Sequence, residues 1–126
     1  MMTKEEIAKL KENLHKIEDY VRKNYIPRLR KCESLSVQFG ELKLYPGSWT
    51  REYEHSFGFS HDGDIWLRTG GLGEHFGDNP IHSYNIYTSP FHAEDLMLQW
   101  PHVKRLIEEE FQKRESKRAA LDAFEV

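Results

Sequence analysis

Apolar residues recur near the N-terminus at Ile7, Leu10, Leu14, Ile17 and Val21, in alternating steps of three and four. That period predicts an amphipathic helix over 4–31. Thr3 is its expected N-cap, and Glu5 and Glu6 fall in the first turn, where the helix dipole favours negative charge. Pro27 is expected to end or kink it. The stripe is as narrow as a coiled-coil seam. It can pack on the chain's own sheet, but the strict spacing favours pairing with a second copy, a homo-oligomer through those five residues.

The period then changes to two. Val37 and Phe39 share one parity and Leu42 and Leu44 the other, so Gly40 is expected at a bulge. Tyr45 to Ser48 carry Pro and Gly where a type II turn wants them. Tyr53, His55, Phe57 and Phe59 alternate with Glu52, Glu54 and Ser56. Asp62-Gly63 signals a two-residue hairpin turn. Such a turn pairs Phe59 with Trp66 and Phe57 with Arg68, and it puts Arg68 on the sheet face of His55. A glycine-rich loop follows over 69–80, then a further strand at about 81–88. Ser89-Pro90 opens a helical region over 90–118, kinked near Pro101, with Leu96, Trp100, Val103, Ile107 and Phe111 on one face. The expected architecture is α+β in a single domain, 1–126: a helix, a three- to four-stranded antiparallel meander over 35–88, and a C-terminal helix.

The chain has 126 residues, room for one hydrophobic core. It has no apolar run of membrane-spanning length, no signal-peptide pattern and one cysteine, Cys32, so a cytoplasmic setting is expected, with neither a disulfide nor a cysteine-held zinc. Its net charge of −3 is uneven: residues 1–31 are basic, and residues 61–100 set the single cation Arg68 against six carboxylates. That distribution is not a footprint for duplex nucleic acid. It suits electrostatic pairing between parts of the chain or between subunits.

The candidate chemistry is sparse. Gly70, Gly71, Gly73 and Gly77 let a backbone approach a ligand closely, yet the loop leads into a strand and lacks the Lys-Ser/Thr of a phosphate-binding loop. Seven histidines are many for this length, but no His-Glu-x-x-His occurs, and most read as surface or turn residues. No serine has a nucleophile-elbow context, and Cys32 reads as a bystander at a helix end. Neither a catalytic set nor a metal set nor a cofactor is expected. Arginines, aromatics and glycines remain. Arg51, Arg68 and Arg105 for phosphate, Phe76 for a base and Asn85 for a base or sugar edge form a workable site for a phosphorylated small molecule.

The order of elements resembles the small phage anti-defence proteins that sequester cyclic nucleotide signals of Thoeris immunity. It has a long N-terminal helix through Lys31, a compact aromatic sheet, and a C-terminal helix with Lys104 and Arg105. The resemblance rests on layout, shares no sequence fingerprint and carries over no residue. It implies an oligomeric, non-enzymatic protein with pockets at subunit interfaces. The expected function is therefore sequestration of a phosphorylated small molecule through Arg51, Arg68, Phe76, Asn85 and Arg105. One alternative is an inhibitor or adaptor that binds a protein, such as a defence nuclease, through the acidic central region. Another is a metal-dependent hydrolase built on His61, Asp64, His75 and His82.

Overall fold

The computed structural model describes residues 2–44, 51–69 and 90–126. Helix α1 (Lys4–Asn24) begins with a capping box: Thr3 Oγ1 accepts from the Glu6 N–H, and the Glu6 carboxylate accepts from the Thr3 N–H. It ends at Asn24, short of the expected Lys31. Pro27 cannot continue the helical hydrogen bonding, and the chain goes on as a single 3₁₀ turn over Ile26–Arg28.

Among the described residues three antiparallel strands follow in meander order: β1 (Ser34–Leu44), β2 (Arg51–Ser60) and β3 (Ile65–Thr69). The α+β architecture is as the pattern predicts. Gly40 and Glu41 of β1 together oppose Glu54 of β2, and Gly40 has φ +93°, which makes this the expected bulge. The hairpin between β2 and β3 differs from expectation. The Ser60 N–H donates to the Asp64 carbonyl and the Gly63 N–H to the Ser60 carbonyl, so three residues turn the corner, not two, with Gly63 at φ +98°. The register moves by one residue. Phe59 pairs with Ile65, Gly58 with Trp66, Phe57 with Leu67 and Ser56 with Arg68. A one-residue slip exchanges the faces of a strand. Ile65 and Leu67 therefore join Phe57 and Phe59 in the core, and Arg68 lies on the face opposite His55. The Trp66 ring covers Gly58, where a Cβ would sit 2.5 Å from it.

Helices α2 (Pro90–Leu98) and α3 (Trp100–Asp122) abut at Gln99. Pro101 lies in the first turn of α3, where its missing N–H has no helical partner to lose. The expected turn at Tyr45 to Ser48, the glycine loop and the strand at 81–88 fall outside the described residues.

One continuous core joins the inner sheet face to the helices: Leu35, Val37, Phe39, Phe57, Phe59, Ile65 and Leu67 meet Ala93, Leu96, Val103, Ile107 and Phe111. Leu10, Leu14, Ile17 and Val21 are buried in that same core, and Ile7 packs against it. The heptad stripe is consumed within the chain and is not exposed for a second copy, so oligomerisation through those residues is unsupported. The basic N-terminal region pairs internally. Arg28 lies 2.7 Å from Glu108 and over the Phe111 ring, and an Arg22 guanidinium N–H donates to the Gly63 carbonyl. No helix among the described residues is long and apolar enough to cross a membrane.

Candidate metal centre

The inner face of β2 reads Phe59, Phe57, His55 toward its start, so strand alternation carries an imidazole into a row of rings. The His55 side chain is 1% exposed. Its ring meets Phe39, its partner on β1, at 5.0 Å between centroids. The bulge makes room for it. A Cβ on Gly40 would approach the His55 ring to 2.9 Å and the Glu54 Cβ to 3.2 Å, so only glycine lets the β1 backbone pass this close.

Helix α2 closes the centre from the other side. His92 and Asp95 stand three residues apart, hence on one side of the helix. An Asp95 carboxylate oxygen lies 2.9 Å from His55 Nε2, and His92 Nδ1 lies 3.1 Å from His55 Nδ1. Glu54 and His55 are consecutive and would normally point to opposite faces. Glu54 is the residue opposed by the bulge, and its carboxylate lies 3.3 Å from His55 Nε2. Burial, and then the neighbouring His55 ring, hold the His92 imidazole below its ordinary range. His55 is sealed, while the side chains of Asp95 and Glu54 are 39% and 26% exposed. The centre is thus closed at the imidazole and open to solvent at the carboxylates.

One ligand atom each from Glu54, His55 and Asp95 lie within 4.8 Å of one another. Zinc bonds of about 2.0–2.1 Å at tetrahedral angles place neighbouring ligand atoms about 3.3 Å apart. The spacing from Nε2 to Glu54 already matches, and that to Asp95 needs to open by a few tenths of an ångström. One imidazole nitrogen and two carboxylate oxygens suit zinc, manganese or ferrous iron, and three protein ligands leave a position for water. A groove of about 480 Å³ between β1 and α3 reaches Tyr53. Tyr53 stands two residues before His55 on the same face of β2, about 7 Å along the strand.

The residues singled out from sequence lie elsewhere. Arg68 is exposed on the outer sheet face, and Arg105 is exposed on α3, 2.6 Å from His102 Nδ1. Helix α3 packs on the inner face through Val103, Ile107 and Phe111, so the two arginines stand on opposite sides of the sheet. Arg51 begins β2, but its side chain, like Phe76 and Asn85, falls outside the described residues. His61 and Asp64 are exposed at the ends of the hairpin turn, where the Asp64 N–H donates to Ser60 Oγ; His75 and His82 also fall outside. Sequence reasoning missed the whole cluster, Glu54, His55 and Asp95, and His92 beside it. The available signal was a His-x-x-Asp on one side of a helix, facing a histidine in an otherwise aromatic stripe. Comparison of the chain with known protein families, curated proteins and solved structures finds no match in any of the three.

Proposed function

We propose that the chain is a divalent-metal-dependent protein whose centre is Glu54, His55 and Asp95, and that it carries out metal-assisted hydrolysis. The observation that carries this reading is the convergence of three ligand atoms from two elements on a site sealed behind the imidazole and open at the carboxylates. A cation held there by Glu54, His55 and Asp95 would retain water and supply it as a nucleophile at neutral pH. This develops the hydrolase alternative with a different ligand set from the one expected.

Sequestration of a phosphorylated molecule draws no comparable support: Arg68 and Arg105 do not converge, and the other three side chains lie outside the described residues. Nor does any comparison bear on the anti-defence resemblance.

The test is a titration of untagged, metal-stripped protein with Zn²⁺ and Mn²⁺, followed by a screen of simple phosphoesters and carboxylic esters. One bound ion per chain is expected, lost in both His55→Gln and Asp95→Asn, with hydrolysis only in the loaded protein. Absence of stoichiometric binding overturns the centre. Binding without any hydrolysis overturns the enzymatic half.

A further inference from the structure

A divalent ion at the centre needs a lone pair on His55 Nε2, the nitrogen facing Asp95 and Glu54. A neutral imidazole carries one proton, so it must then sit on Nδ1. That nitrogen belongs to a side chain that is 1% exposed, and a buried N–H without an acceptor is costly. His92 Nδ1 lies 3.1 Å from it, and the two rings meet edge-on at 73°. A hydrogen bond between two Nδ1 atoms has only two forms. Either His92 donates and His55 keeps its proton on Nε2, toward the carboxylates, or His55 donates and Nε2 is free for a metal.

We propose that His92 is the positioning residue of this centre: it accepts from His55 Nδ1–H and thereby commits Nε2 to the metal. The proposal rests on the metal reading above and adds a residue that touches neither metal nor substrate. Ligating histidines are commonly oriented in this way through the second ring nitrogen, usually by a carboxylate or a carbonyl. Here the partner is a second imidazole, which can reverse the direction of the bond. In the unloaded protein His55 Nε2–H donates to Asp95 and His92 Nδ1–H donates to His55. On loading, Nε2 gives up its proton to solvent, the shared proton passes from His92 to His55 Nδ1, and His92 takes a proton on Nε2. Both rings end neutral and the proton count of the pair is unchanged. Position 92 also explains the helix spacing: the i, i+3 pair brings an acceptor to one edge of the His55 ring and a ligand to the other.

Two variants separate acceptor from packing. His92→Asn keeps an acceptor oxygen where Nδ1 stands, and His92→Phe keeps the ring and removes the acceptor. Zinc affinity is read by competition with a chromophoric chelator, and the His55 tautomer by ¹⁵N chemical shifts. H92F is expected to lose affinity about 10–100-fold, as other losses of such partners do. H92N is expected to stay near wild type with the proton on His55 Nδ1. Wild-type affinity in H92F overturns the proposal, as does a loss in H92N equal to that in H92F. If H92F fails to fold, H92N decides alone: zinc-bound H92N with the Nδ1 proton supports the proposal, and weak binding with the proton on Nε2 overturns it. Wild type that binds no zinc overturns the metal reading and this proposal together, whereas tight wild-type binding that ignores position 92 overturns this proposal alone.

Discussion

The two ends of the inner face of β2 carry opposite chemistry within a few residues. At one end Phe59 stacks on Tyr25 at 5.7 Å and 11°, and Phe57 meets Trp100 edge-on at 5.8 Å. This end is dry, and each ring is held by several others. At the other end His55 occupies the next position of the same alternation, equally buried, but its neighbours are Asp95, Glu54 and His92. Rings attract through area and shape, which tolerate small displacements. The imidazole needs partners at both nitrogens within about 3 Å, and each must come from a named residue. The contrast teaches that burial alone does not distinguish structural from chemical positions; the number of polar atoms converging on a buried residue does.

The comparison can be broken first at its dry end. Phe59→Ala is expected to cost about 3–5 kcal/mol in a denaturant titration, since rings from two elements lose their shared partner. Next comes the bulge. Gly40→Ala places a Cβ 2.9 Å from the His55 ring at φ +93°, and such strain costs on the order of 1–3 kcal/mol. It should also abolish zinc binding. Gly58→Ala crowds the Trp66 ring and should destabilise while leaving zinc binding intact. A difference in zinc binding between these two glycine variants is the sharper result.

His55→Phe extends the dry row by one ring. It also leaves Asp95, Glu54 and His92 without their shared partner, and an orphaned polar group costs about 1–3 kcal/mol, so a loss of that order is expected while zinc binding disappears. Zinc binding retained in His55→Phe would overturn the centre. The pH profile tests the same end. His92 is held below its ordinary range when folded, while the unfolded chain takes a proton near the ordinary histidine value of about 6.5. Unfolding therefore takes up protons below that value. The stability present above about pH 6.5 should fall as pH drops toward the lowered folded value, then level off, and H92F should lack that slope. Smallest is Arg118→Ala. Arg118 holds both Glu33 oxygens at 2.6 Å, but both side chains are partly exposed, and about 1 kcal/mol is expected.

Much of the fold is legible in the pattern of residues. The α1 start, the break at Pro27, the bulge at Gly40 and the alternation of β2 all follow from local rules: caps, a missing N–H, positive φ and period two. The hairpin register is not legible in this way, because Asp62-Gly63 serves a two- or a three-residue turn equally well and the choice moves Arg68 across the sheet. The fate of the α1 stripe is equally hidden, since a narrow apolar face serves a second copy or the chain's own sheet.

What the sequence determined by itself is therefore the local geometry: element types, most of their ends, and which residues of a strand share a face. Those depend on interactions within a few positions. What only the tertiary structure decided is the meeting of His55 with His92 and Asp95, 37 and 40 residues away. Nothing in either stretch specifies the other. The packing of α2 against α1, α3 and β3 brings them within hydrogen-bond distance, and convergence of that kind is set by the arrangement of elements in space.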